Sequence, residues 1–316
     1  MLEIGGYIEM NQYSQSVLHE EGIALNCARN CLAYIIEARH ISKIAIPKFL
    51  CSTVGDICAS MGVNVRKYNI NSDFLPCLSN LQKDEWLYLV NYYGQISNRI
   101  IAEYKKQYNN IIVDNVQAYY QNAVVGVDTI YTCRKYFGVP DGAFLISNTR
   151  IKRKLEQDCS RGRMEHLIGR LEGTAEEFYS KYTENEKMFS DLPLRTMSKL
   201  TMNLLRGIDF DMVRLKRERN YLYLSERLDK YNDLNFNMPI GPFMYPLYVH
   251  NGKKIREQLR KKHIYISTLW PDVFNGCGET ELEYDFAQNI LPLPIDQRYS
   301  MNDMAVLCAE VIKYLE

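Results

Sequence analysis

The feature that most constrains this chain is a short run of β-branched residues closed by an acid. Ile111-Ile112-Val113 contains no polar member, the pattern of a strand buried on both faces of a parallel sheet, and Asp114 falls at its carboxyl end. Ligands in open α/β sheets bind at that edge. Lys135 lies 21 positions further on (135 − 114), followed by the turn Pro140-Asp141-Gly142 and by Ala143-Phe144-Leu145-Ile146, which reads as the next strand. A carboxylate and an amine are therefore expected to face one crevice.

That pairing suits pyridoxal phosphate chemistry. The cofactor needs a lysine to hold it as a Schiff base and an acid to keep its ring nitrogen protonated. Lysine is a poor nucleophile until burial or a cationic neighbour lowers its pKa, and Arg134 is such a neighbour by sequence. Spacing alone leaves the plainer alternatives open, a solvated lysine and a turn or cap carboxylate.

The same residues carry a resemblance. Asp114-Asn115-Val116-Gln117-Ala118 is similar to an acid-x-x-Gln-Ala stretch, and Lys135 with Asp141-Gly142 to the lysine and glycine turn, of the DegT-type sugar aminotransferases. These are fold-type I pyridoxal phosphate enzymes. RKYFGVPDGAFL looks most like a divergent subgroup among surface-polysaccharide biosynthesis proteins, and the resemblance extends to RERNYLYL and LPIDQRY near the other end. It implies an α/β fold, with a three-layer large domain over 1–200 that binds the cofactor and a smaller α+β C-terminal domain over 201–316. It also implies a homodimer with active sites at the interface.

Composition bounds the rest. A chain of 316 residues that is 47% hydrophobic can bury a sizeable core and accommodates two lobes. Lysine plus arginine equals aspartate plus glutamate, 38 against 38, which gives no reason to expect nucleic acid or an anionic membrane as partner. Apolar runs are strand-sized and MLEIGGYIEM lacks a leader-like profile, so a soluble, cytoplasmic protein is expected. The nine cysteines are scattered. Cys27 and Cys31 are four apart on an expected helix, but no second close pair completes a zinc site, so small buried thiols and no metal are expected. The 24 tyrosines suit a core and an interface.

Further site residues follow from the resemblance. Gly5-Gly6-Tyr7 is read as a turn near the site. Where the family has a Ser-Gly-Thr-type phosphate loop, this chain has Cys27, Ala28 and Arg29, opening a helix that Asn26 or a nearby polar residue would cap. Backbone amides would remain available there, and Arg29 either adds charge or is a solvated helix residue. The ring-stacking position after strand Ile44–Pro47 falls on Cys51, with Phe49 as the other candidate. Asn91-Tyr92-Tyr93-Gly94 resembles a strand-end turn whose aromatic, Tyr93, sits near the cofactor. Thr132 stands where the subgroup places a phosphate-binding serine, unless it simply fills a strand. By the resemblance, Gln117 would contact the ring's phenolic oxygen or its surroundings.

Residues 150 to 195 read as charged and helical, either a solvated face or an anion site for a sugar nucleotide's diphosphate. Only Met197, with Arg195, remains of an Asn-x-Arg-Met motif. The expected activity is transfer of an amino group, from glutamate by resemblance, to a nucleotide-linked keto sugar, with Lys135 and Asp114 catalytic. Two alternatives stay open: another reaction type such as dehydration, against which Lys135 argues because a histidine is expected there, and a binding protein that has lost catalysis. No G-x-G-x-x-G follows any strand, which argues against a dinucleotide enzyme.

Overall fold

The protein is described by a computed structural model covering residues 4–316. Part of the reading of the first ten residues falls on 1–3, outside the described residues.

Eight strands form one sheet: β1 Ile23–Leu25, β2 Lys43–Pro47, β3 Asn64–Ile70, β4 Pro76–Cys77, β5 Trp86–Val90, β6 Ile111–Asp114, β7 Asp128–Thr132 and β8 Ala143–Ile146. Their spatial order is β1-β8-β7-β6-β5-β2-β3-β4. The five strands from β3 to β7 in that order run parallel, while β8 and β1 enter antiparallel at one side and β4 at the other. The β-branched run therefore sits in the centre: Ile111, Ile112 and Val113 are at most 1% exposed. Burying each such side chain contributes about 1.5–3 kcal/mol.

Both faces of the sheet are covered. Successive residues of β7 and β8 enter different cores: Ile130, Ala143 and Leu145 pack with Cys31, Leu32 and Ile35 of helix α1 (Ala28–Arg39). Tyr131 and Phe144 pack on the opposite side with Met197, Leu205 and Val213. The period-two geometry of a strand makes this split. Helices α2 (Ser52–Ser60) and α3 (Asn98–Tyr108) complete the crossovers, so helix, sheet and helix give the expected three layers.

After β8 the chain forms α4 Glu165–Glu172, α5 Tyr179–Asp191, α6 Lys199–Leu205 and α7 Phe210–Leu228. A second assembly follows: β9 Tyr245–Tyr248, α8 Gly252–Arg260, α9 Val273–Gly276, α10 Leu282–Asn289, β10 Ile290–Leu293 and α11 Met301–Ile312. The antiparallel pair β9–β10 packs with α7, α8 and α11 around Tyr221, Leu224, Leu247, Leu291 and Val311. Phe286 and Ala287 of α10 instead join the first core. Among the described residues no helix is long and apolar enough to cross a membrane.

Two local expectations are corrected. Gly5 and Gly6 have φ of +88° and +99° but are exposed, and a Cβ at either would meet nothing within 4 Å, so that turn approaches no site within the chain. The α1 N-cap is Cys27, which makes no side-chain cap bond. Asn26 is drawn away to Asp158 Oδ2 at 3.0 Å and the Pro193 carbonyl at 3.2 Å.

Candidate active site

The site lies at the carboxyl ends of β5, β6 and β7. Register aligns Val90 with Asp114 and Asp114 with Ile130, so the acid emerges at mid-sheet. Asp114 is 4% exposed. Its Oδ2 accepts the Tyr88 hydroxyl at 2.7 Å and its Oδ1 the Val116 amide at 2.9 Å. Burial raises its pKa above the usual carboxylate value, and Lys135, Tyr88 and Val116 hold it back. Among the described residues no cation forms an ion pair with it, so a buried carboxylate keeps acceptor capacity for one more donor.

Lys135 follows β7 by three residues, in a turn closed by Tyr136 and Phe137 amides on the Cys133 carbonyl. The lysine retains exposed surface, yet burial is the largest influence on its amine and lowers its pKa; Asp114 and Cys51 oppose the shift, and Arg134 adds to it. Protein on every side with one open face is what a group lining a cleft experiences. Asp114 and Cys51 are thus near enough to the amine to act on its charge. The ring of Phe243 lies 5.6 Å from its Nζ.

The turn that follows is heavily tied. Asp141 is fully buried, and its carboxylate accepts the Ser198 hydroxyl at 2.7 Å, the Ser198 amide at 3.0 Å and the Thr201 hydroxyl. Gly142, at φ +112°, leaves no room for a side chain, since a Cβ would lie 2.8 Å from Thr201 Cγ2. Tyr136 is gripped from the second assembly: its carbonyl accepts from Gln297 Nε2 at 2.7 Å and Arg217 Nη2 at 3.4 Å. Arg217 is 1% exposed and also donates to the Pro242 and Phe243 carbonyls, each at 3.1 Å.

The remaining expected residues are distributed as follows. Gln117 is 1% exposed; its Oε1 accepts the Tyr93 amide at 2.8 Å, while its Nε2 is buried with no partner. Tyr93 itself, at φ +52°, turns its ring edge-on to Phe74 and Phe236 in the core, so its contribution near the site is the amide that orients Gln117. Phe49, fully buried against Tyr92, Trp270 and Phe286, is removed as a ring-stacking candidate, whereas Cys51, the α2 N-cap, remains near Lys135. Thr132 ends β7, buried and paired with Ala143.

Ala28 is the first residue of α1, and Arg29 is half-buried beside it, donating to the Phe189 carbonyl on α5. Cys27 and Cys31 are buried free thiols whose pKa values burial raises. Of the charged stretch, Arg163 is buried and paired with Asp158 at 2.9 Å. Arg195 pairs with Glu156 at 3.1 Å, and Met197 is buried in the second face's core. Cys277, Glu281 and Glu283 come together within 4.8 Å, but Lys48 holds Glu281 at 2.7 Å and the Ile70 amide holds Glu283 at 2.7 Å.

Sequence reasoning did not single out Tyr88, Phe243, Ser198 or Thr201. Tyr88 had a signal, a lone hydroxyl in the apolar strand WLYLV beside the acid-bearing strand. The others come from long-range packing.

The sheet order, its antiparallel β8 and the lysine–carboxylate cleft define the class: this is the fold-type I aminotransferase fold. No protein-family model and no curated protein matches the chain. Solved structures do. The chain is similar to DesV of S. venezuelae, solved in complex with a ketimine intermediate, at 14% identity and TM-score 0.69, over 93% of this chain and 85% of that one. It is similar to a DegT DnrJ EryC1 StrS aminotransferase from Brucella abortus at 14% and 0.62, over 92% and 85%. PseC of Helicobacter pylori, an aminotransferase involved in pseudoaminic acid biosynthesis, matches at 15% and 0.61, over 97% and 93%.

Proposed function

We propose that this protein is a pyridoxal phosphate-dependent aminotransferase that converts a nucleotide-linked keto sugar to an amino sugar for surface polysaccharide biosynthesis. In this reading glutamate is the amino donor and the protein works in the cytoplasm as a homodimer. The observation that supports it most is that a buried carboxylate without an ion-pair partner, at the carboxyl edge of the sheet, and a lysine three residues beyond the neighbouring strand act on each other's charge. The fold shared with sugar aminotransferases supports the same reading.

The residues fit the cofactor. Asp114 would offer a carboxylate to a ring N–H, Gln117 Nε2 is an orphaned donor suited to a phenolic oxygen, and Cys51 acts on the Lys135 amine. When bound, pyridoxal phosphate supplies an electron sink for the substrate's α-carbon. Lys135 Nζ, more easily deprotonated than an ordinary lysine, would hold the group and could then hold and move a proton at the reacting carbon. Tyr88 and the Val116 amide keep the Asp114 carboxylate aimed, and Phe243 excludes water beside the amine.

The test is an absorption spectrum with added pyridoxal phosphate, followed by borohydride reduction and peptide mapping. An adduct on Lys135, absent from Lys135→Ala, supports the proposal and justifies assays with keto-sugar nucleotides. No adduct at any lysine of a folded protein overturns it and leaves a binding protein on this fold.

A further inference from the structure

One part of the cleft is not used by this chemistry: the arginines between α1 and α5. Arg29 and Arg134 both act on the Cys27 thiol at the start of α1, and both meet Phe189 of α5. Arg29 donates to the Phe189 carbonyl, and the Arg134 guanidinium lies 3.9 Å from the Phe189 ring. Their charges are poorly matched. Among the described residues Arg29 has no carboxylate partner, and its Nε is buried without a hydrogen bond. Arg134, 19% exposed, is paired with Glu186 of α5, which is itself 40% exposed. Arg163 also has a buried Nε without a hydrogen bond, but unlike Arg29 it has a buried carboxylate partner, Asp158, at 2.9 Å.

Two guanidinium groups beside a helix start, one orphaned and the other held by a half-exposed carboxylate, form a place for an anion that one glutamate fills incompletely. We propose that Arg29 and Arg134 clamp the phosphate of the cofactor in place of hydroxyl side chains, and that Glu186 competes with that phosphate for Arg134. The inference rests on the aminotransferase reading for its ligand. Arg134 is also the residue before Lys135, so the same backbone turn presents both the amine and the phosphate-binding fork. Entry of the phosphate exchanges one ion pair for another, displacing Glu186 and with it α5. The helix is thereby a cover whose hold on the cleft depends on whether the clamp carries phosphate.

The test compares pyridoxal phosphate with pyridoxal, which lacks the phosphate, by absorbance titration and borohydride trapping on wild type, Glu186→Gln, Arg134→Gln and Arg29→Gln. Loss of one charge-assisted contact is expected to weaken pyridoxal phosphate binding by about tenfold to a hundredfold in either arginine variant. Glu186→Gln is expected to tighten it by about threefold to tenfold, through removal of a half-exposed competitor. Pyridoxal binding should change in none of them. Limited proteolysis within 179–191 should differ between wild type with and without pyridoxal phosphate. Equal effects on pyridoxal and pyridoxal phosphate, or no effect of Glu186→Gln, overturn the clamp while leaving the adduct on Lys135 and the aminotransferase reading intact. Absence of the adduct in wild type overturns both. If thymidine diphosphate, by calorimetry, loses affinity in Arg134→Gln while pyridoxal phosphate does not, the clamp serves a substrate's diphosphate and the cofactor assignment falls.

Discussion

The two ends of the cleft are built in opposite ways. At one end Asp114 and Lys135 emerge from adjacent parallel strands, and every contact of the acid comes from strand β5 or from its own next turn. At the other end Arg29 and Arg134 meet residues of α5 that lie 160 and 52 positions away. The first arrangement is fixed by sheet register and tolerates little movement. The second is held by a helix packed through a partly solvated ion pair, the weaker kind of tie. On the proposed reading, chemistry sits on the end fixed by register, and ligand exchange falls to the end held by the weaker tie.

The largest effect tests the rigid end. Lys135→Ala should abolish the borohydride-trapped adduct and reduce amino transfer by about a thousandfold or more. An adduct mapped to another lysine would place the chemistry elsewhere and dissolve the contrast. Asp114→Asn should lower the transfer rate by about a hundredfold to a thousandfold, the loss of a charge-assisted bond in a water-poor site. It should also move a titration. Burial lowers the Lys135 pKa, so the rate of adduct formation rises with pH and levels off below the ordinary lysine value of about 10.4. Asp114 favours the ammonium form, so its removal shifts that midpoint further down; an upward shift would contradict the shared cleft.

The same lowered pKa has a stability sign. Between the folded and unfolded values the folded chain binds fewer protons, so stability rises with pH across that window and the full penalty applies below it. Lys135→Met should therefore melt above wild type at pH 7, with the difference fading toward pH 10; a constant difference would mean that the amine is not desolvated. At the opposite end the support under the arginines is the part expected to be costly. Arg163→Leu leaves Asp158 buried without its partner and should cost about 3–5 kcal/mol in denaturant melts. Thr132→Val is the smallest change: stability within about 0.5 kcal/mol of wild type, and pyridoxal phosphate affinity reduced about threefold to tenfold if its hydroxyl meets the phosphate.

What could be read from the chain follows the same division. The β-branched run and the acid at its end are local patterns, and they marked out a central strand of the sheet and the carboxyl edge where the site is proposed. The two faces of β7 and β8 became visible only in the packing of their alternate residues. What local pattern could not show was direction. Tyr93 lies at the expected strand end, but its left-handed backbone sends the ring into the core. Phe49 and Cys51 are two residues apart, and only tertiary packing decides that the first is buried against Trp270. Asn26 carries a good capping side chain, yet a buried aspartate 132 positions later claims it. The charged stretch 150–195 reads as a solvated face or an anion site, whereas Arg163 within it is buried through Asp158, five residues earlier.

The grip on Tyr136 has a mechanical meaning. Arg217 on α7 and Gln297 before α11 both hold the carbonyl of the residue that follows the lysine, and Arg217 holds the backbone of Phe243 as well. A rotation of the second assembly cannot occur without loading that carbonyl, because it accepts from both Arg217 and Gln297 and is buried where water does not replace them. The lysine turn is thus the short arm of a lever whose long arm is the assembly from α7 to α11, so a displacement of that assembly reaches the residue next to the amine.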